Sequence, residues 1–269
     1  MLAEHSGSMP VSDKQRSFTI MSGSMPGWLF RLCSIIILPL MAILISSAGV
    51  HNPLHDGKHK PDYKLIEKNI KRKNSGFYYP ELIARFNEGD TTLNLHEKVH
   101  LYFGFVFQEH YRPYSESSVK TLMNNIPEKD IHQKASLEKI VFRTDSILNE
   151  NPFNLNALDY SLFALDELHD YSKFNKRLFQ ARSILEAILH TGDGLSIKTC
   201  YYVISPSHEY HVLGYLGYRF GGVQSLIGNC DRLSLESNAD GIEGLYFDVT
   251  PCFNHLSSIF NDVIKEKDK

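Results

Sequence analysis

Between Leu137 and Ile188 apolar residues return at every third or fourth position, and the pattern is broken twice by residues that end helices. Leu137, Ile140, Val141, Thr144, Ile147 and Leu148 form one stripe that stops at Asn151-Pro152. Proline pushes the residue before it out of helical geometry, so Asn151 is expected to leave the helix. Leu155, Leu158, Leu162, Leu165 and Leu168 form the next stripe, interrupted near His169-Asp170. Phe174, Leu178, Ala181, Leu185 and Ile188 form the third, which ends at Thr191-Gly192-Asp193-Gly194, where glycine suits a left-handed cap. Amphipathic helices separated by such short breaks fold back on one another, so antiparallel helical hairpins are predicted. Upstream, Ile66 and Ile70 share a face, as do Leu82, Ile83 and Phe86. A longer helix is expected over Leu93 to Gln108, with Val99, Tyr102 and Val106 inward, and a short one over Ser118 to Asn125.

After Gly194 the period changes. Ile197 to Ser205, Gly222 to Ile227, Cys230 to Leu235 and Ile242 to Val249 read as short strands, with Asp240-Gly241 as a hairpin signal. Ser205-Pro206-Ser207-His208-Glu209 reads as a polar turn between patterned segments, and helical spacing returns over Cys252 to Lys265 through Phe253, Leu256, Phe260 and Ile264. The expected fold class is α+β: helical hairpins over 62–194, then a small antiparallel sheet and a C-terminal helix over 195–269, packed as one unit with the helical body.

Residues 1–48 read as a leader. The uncharged run Leu32 to Val50 contains an apolar core, 32–45, preceded by Arg31 and followed by Ser46-Ser47-Ala48, which places small residues before a cleavage site after Ala48. Met1, Met21 and Met25 are the alternative starts for such a leader. The rival is an uncleaved membrane anchor through residues 29–50, since about 17 to 25 apolar residues span a bilayer. Lysines and arginines lie on both sides of the run, so charge does not decide between the two. Export to the periplasm or cell envelope is the leading expectation, with the inner-membrane anchor as its alternative. Residues 49–61 read as a linker, and its His51, His55 and His59 are interrupted by Pro53 and Gly57, which points to solvated side chains rather than a metal stripe.

Lys+Arg number 28 against Asp+Glu 31, a net charge of -3, so the basic footprint of a nucleic-acid binder is missing and none is expected as partner. Outside the leader, which holds Cys33, the cysteines are Cys200, Cys230 and Cys252, with no CxxC spacing. One disulfide among the three and three buried thiols packing as small hydrophobes are both open.

His96-Glu97-Lys98-Val99-His100 fits H-E-x-x-H on a predicted helix. Spacing of i, i+4 puts His96 and His100 on one face as zinc ligands, with Glu97 as general base. Against this stand Lys98 inside the motif, and Phe103 and Val106 where the extended motif has its glycine and third histidine. The leading reading is a solvated helix face, with no catalytic residue, metal or cofactor; a zinc-dependent hydrolase is the alternative. The aromatic block Leu101 to Phe107, followed by Tyr111, Pro113 and Tyr114, reads as core plus a turn, or as a groove in which Tyr102, Phe105, Tyr111 and Tyr114 anchor a partner's peptide.

The helix pair over 155–190 resembles a tetratricopeptide-type repeat, with Tyr171 after the inter-helix turn and Leu158 and Ala181 at signature positions, although Leu162 and Phe174 depart from the small residues usual at theirs and no second copy follows. LYFGFVFQEHYRPY (Leu101 to Tyr114), TGDG (Thr191 to Gly194), HEY (His208 to Tyr210) and GIEGLYFDV (Gly241 to Val249) together resemble an uncharacterised family of domains of unknown function, numbered forty-nine nineteen, common in exported proteins of Bacteroidetes-type bacteria. The resemblance covers about 61–262. It implies export, a shared fold and no metal motif at HEKVH, and it implies no reaction. The expected function is therefore a non-enzymatic, exported protein- or peptide-binding module, touching a membrane only through an uncleaved N-terminal segment.

Overall fold

Side chains that accept a hydrogen bond from a backbone N–H three residues on decide where several helices start. Asp62, Asn94, Asn154 and Asp170 do this for α1 (Tyr63–Ile70), α3 (Leu95–Gly104), α5 (Leu155–Glu167) and α6 (Tyr171–Leu189). Pro80 lies in the first turn of α2 (Tyr79–Glu88), and Gly89, at φ 79°, closes it. Helix α4 (Lys134–Glu150) ends as the Asn151-Pro152 pair predicts, with Asn151 at φ -131°, ψ 90°. His169, at φ 57°, makes the turn from α5 to α6. The structure is a computed structural model that describes residues 60–115 and 126–267, side chains of 128 and of 259–267 excepted. The leader, most of the linker, the helix expected over Ser118 to Asn125, and the side chains of Phe260 and Ile264 lie outside the described residues. Among those described, no helix is long and apolar enough to cross a membrane.

Helix α4 packs on α5 and α5 on α6, while α6 also packs on α3, and α3 contacts both α1 and α2. Enclosed on several sides, α3 buries His100, Leu101, Tyr102, Phe103 and Gly104 in succession. The expected face of Val99, Tyr102 and Val106 is thereby corrected: Val99 and Val106 are half-buried, and Leu101 and Phe103 go to the core. A helix surrounded by neighbours has no single inward stripe. It is also shorter than the predicted Leu93 to Gln108, because at Gly104 the chain tightens into a 3-10 turn over Phe105–Phe107.

Among the described residues the sheet has four strands, β1 (Tyr201–Tyr202), β2 (Phe220–Ile227), β3 (Cys230–Leu235) and β4 (Gly244–Asp248), in the order β1-β4-β3-β2. Strands β2, β3 and β4 form antiparallel pairs, but β1 runs parallel to β4, so the sheet is mixed rather than purely antiparallel. The strand expected over Ile197 to Ser205 shrinks to two residues. Asp193 and Gly194 both donate to the Thr199 carbonyl, which holds the preceding residues in a turn. Gly192 is required there, since a Cβ would overlap the carbonyl oxygens of Thr199 and Cys200. The predicted polar turn at Ser205 to Glu209 is instead the entry to a helix, α7 (Ser207–Tyr215), and the chain closes with α8 (Thr250–Lys267). Among the described residues, eight helices and this small sheet make an α+β fold. Leu233, Leu245 and Phe247 of the sheet lie in one contiguous hydrophobic cluster with Leu158 and Ile184 of the helices.

Candidate functional site

The HEKVH segment opens α3, and its polar side chains tie that helix to its neighbours. Glu97 closes a capping box with Asn94 and accepts from Arg85 Nη1 of α2 at 2.6 Å, while Arg85 Nε reaches Asp90 at 2.7 Å. Lys98 Nζ sits 2.7 Å from Glu186 of α6. His100 Nδ1 is 2.8 Å from the His96 carbonyl and must donate to it, so Nε2 accepts from Asn69 Nδ2 of α1 at 3.1 Å. The His100 ring stacks on Phe77 at 3.8 Å, and burial lowers its pKa. His96 is exposed, its ring centroid 6.4 Å from that of His190 in an edge-on arrangement. The lone pair through which His100 would bind zinc is thus occupied by Asn69. Among the described residues the ligand atoms that converge belong instead to Cys200, Cys230 and Asp248, all buried and within 4.8 Å of one another.

Of the four aromatic residues weighed as core or as partner anchors, Tyr102, Phe105 and Tyr111 are buried, and Tyr114 alone is exposed, at 40%. Their surface is already used. Tyr111 donates to the Ile204 carbonyl at 2.8 Å, and Phe105 packs on Phe153 with ring centroids 4.9 Å apart. Where the block meets α8, Tyr63, Val106, Phe107, Tyr111, Pro251 and His255 line a shallow cleft of about 330 Å³.

Helix α7 carries the polar residues that sequence patterning missed. His208 is fully enclosed. Its Nε2 is 2.9 Å from the Phe153 carbonyl, which can only accept, so Nδ1 accepts from the Tyr102 hydroxyl at 2.7 Å. The Tyr102 oxygen in turn accepts from the Ile204 N–H at 3.2 Å. Burial first, then His211, pulls the His208 pKa down to about 3 against the opposing Phe153 bond, so the imidazole is neutral. His211 directs its nitrogens to the Ser207 carbonyl at 2.9 Å and Asp159 at 3.2 Å. Ser205 Oγ lies on the Pro113 carbonyl and Ser207 Oγ. Serine, histidine and acid here are not wired as nucleophile, base and orienter. Glu209, also buried, meets the Asp231 carboxyl of β3, which burial pushes up. The signal for α7 is the pairing of His208 with Val212 and Glu209 with Leu213 at i, i+4 behind a Ser-Pro start; polar residue types conceal it.

Through α7 the edge of the sheet is positioned. Asp231 accepts from Gln224 Nε2 at 2.9 Å, and Gln224 Oε1 accepts from the Tyr210 hydroxyl at 3.0 Å. The Tyr210 ring meets Phe220 edge-on at 5.5 Å. Strand β2 is held along its inner side by α7 and β3, and no described strand pairs with its outer side. Between Phe220 and Gln224 the register slips against β3, with Gly222 at φ 89° and the Val223 N–H donating to Ser234 Oγ at 2.9 Å. Val223 and Leu226 are left 60% and 55% exposed, with Ile227 beside them, in a strand, FGGVQSLI, that has no charge and no proline.

A family model described as Domain of unknown function (DUF4919) matches residues 64–258, which contain all four sequence blocks that carry the resemblance. No curated protein and no solved structure matches the chain.

Two outcomes follow from these geometries. Glu97→Ala, which removes the capping box and a partly exposed ion pair, lowers stability in urea unfolding by about 1–2 kcal/mol, whereas His96→Ala changes it by less than about 0.5 kcal/mol. For His208, whose folded pKa lies below the ordinary 6.5, the unfolded chain binds a proton that the folded chain refuses until about pH 3. Its contribution to stability is therefore complete above pH 6.5 and falls as pH drops toward 3, by at most about 1.4 kcal/mol per unit. Urea unfolding at pH 7 and pH 5 shows that dependence, and His208→Gln, whose amide can meet the same two partners, flattens it by up to one proton; equal slopes in the two proteins contradict the assignment.

Proposed function

The chain belongs to the DUF4919 family, and from that premise we propose that it is an exported, non-enzymatic module that binds an extended segment of another protein along the outer side of β2. The observation that carries this reading is the open edge itself. Sheets normally protect such an edge with lysine, proline or a covering element. Here Val223, Leu226 and Ile227 are exposed beside it instead, and the strand is uncharged. The opposite edge is treated differently, since the Tyr202 N–H donates to Thr191 Oγ1 at 2.9 Å. An extended peptide satisfies the outward backbone groups of β2 by main-chain hydrogen bonds while apolar side chains cover Val223 and Leu226. The bulge at Gly221-Gly222 breaks the pairing early, which limits the added strand to a short segment.

Export is supported by the apolar core 32–45 and the small residues that follow it. In this reading the linker 49–61 separates the cleavage site from the folded body. N-terminal sequencing of the protein recovered from the envelope fraction gives Gly49; an intact segment through Val50 in the membrane fraction replaces the cleaved signal by an anchor.

A peptide-display selection against the protein enriches uncharged, β-branched sequences. Leu226→Lys weakens their binding roughly tenfold or more, and so does N-methylation of alternate peptide amides, which removes main-chain donors and leaves side chains in place. Insensitivity to both changes refutes strand addition. Concentration-dependent dimerisation lost in Leu226→Lys would assign the edge to a second copy of this chain.

A further inference from the structure

Cys200, directly before β1, and Cys230, the first residue of β3, bring their sulfurs to 2.6 Å in a buried site beside Asp248. We propose that these two thiols are the halves of an intramolecular disulfide that closes as the chain folds under oxidising conditions. Two thiolates sharing one tetrahedral zinc at about 2.3 Å each would stand roughly 3.8 Å apart, farther than this pair. Asp248 beside them accepts from the Thr250 N–H on Oδ1 at 2.9 Å. At 2.6 Å the sulfurs are far inside non-bonded contact and nearer to the roughly 2.05 Å of an S–S bond than to the spacing of a shared zinc. Cys252 stays outside the pair, in contact with the Tyr111 hydroxyl at 3.9 Å.

The reaction is thiol–disulfide exchange. One cysteine, as thiolate, attacks a small-molecule or protein disulfide and displaces one of its sulfurs. The second cysteine then attacks the mixed disulfide, forming the Cys200–Cys230 bond and releasing the other sulfur. The two cysteines lose two protons and two electrons, and the oxidant leaves as two thiols. Burial pushes both thiols up, so in the folded protein neither is a ready nucleophile. The bond therefore forms before the sheet closes over it, and it resists reductant afterwards. It spans residues 30 apart and encloses α7 and β2. A closed loop of that length shifts the unfolding equilibrium by a factor on the order of several hundred. Pairing rests on the geometry alone, and its occupancy in the cell rests on the export reading.

The test is peptide mapping of the full chain, alkylated in denaturant without reductant. It is applied to protein directed to an oxidising compartment and to denatured protein refolded in a buffer of reduced and oxidised glutathione. The expected result in both is a Cys200 peptide linked to a Cys230 peptide, with Cys252 alkylated. Refolded protein with Cys200, Cys230 and Cys252 all alkylated, a link to Cys252, or stoichiometric zinc released as the two thiols are modified would each overturn the pairing. A link in refolded protein but not in cellular protein upholds the pairing and counts against export. Cys252→Ser retains the link, and urea unfolding with and without reductant shows the several-hundred-fold shift; no shift alongside a reduced bond overturns the predicted stabilisation.

Discussion

An imidazole and a phenol can be buried together only if their polar atoms all find partners, and the Tyr102–His208 contact meets that condition. The chain of bonds runs from the Ile204 N–H to the Tyr102 oxygen, from the Tyr102 hydroxyl to His208 Nδ1, and from His208 Nε2 to the Phe153 carbonyl. It therefore joins α3, the entry to α5, the segment after β1 and α7. Its bonds reach as far as 106 residues along the chain, between Tyr102 and His208. Apolar packing alone tolerates sliding of one element over another, whereas a directional network fixes their relative position. The sheet half and the helical half meet at this network, and α7, which carries it, also sets the position of β2 through Tyr210 and Gln224.

The second organising element is α3. Because it touches α1, α2 and α6, its polar residues are recruited one by one to those neighbours: His100 to Asn69, Glu97 to Arg85 and Lys98 to Glu186. A helix at the centre of a bundle needs polar residues where its end emerges from the core, and the i, i+4 spacing that places them there is the spacing a zinc helix uses. The likeness of HEKVH to a metal motif thus has a structural cause. Glutamate at the third helical position serves a capping box, and His100, four residues after His96, returns a bond to the His96 carbonyl one turn back.

Helices were legible wherever one face was apolar and the breaks carried chemistry. Asn151-Pro152 and His169-Asp170 mark boundaries because their effects are local, whereas α6 ends at Leu189 with His190 in right-handed geometry and not on the left-handed glycine cap expected at 192–194. β3 was readable from end to end for the same reason, flanked by Gly228-Asn229 and the turn at Asn238 to Gly241. What escaped was non-local or polar. The parallel pairing of β1 with β4 joins Tyr201 to Phe247, and two residues carry too little pattern to announce it. Helix α7 escaped because His208 and Glu209 are buried by partners far away in the chain, Tyr102 and Asp231, which no periodicity reveals. The aromatic block was read with an open alternative, and burial of Tyr102, Phe105 and Tyr111 assigns those three to the core.

The two edges of the sheet differ in a way that packing does not require. At β1 the strand is only two residues long, and Thr191 accepts its outward N–H. At β2 the strand is eight residues long and its exposed side chains include Val223, Leu226 and Ile227. A long uncharged edge is a standing hazard for uncontrolled pairing, and the bulge at Gly221-Gly222 answers it only at one end. The fold spends a buried polar helix, α7, with Glu209 against Asp231 and Tyr210 on Gln224, to hold this strand in place from behind. Such investment stabilises the position of an edge rather than hiding it. In the proposed reading, an edge that is fixed, apolar and unpaired among the described residues is preorganised for a complementary strand, since the conformational entropy of the host side has already been lost in folding.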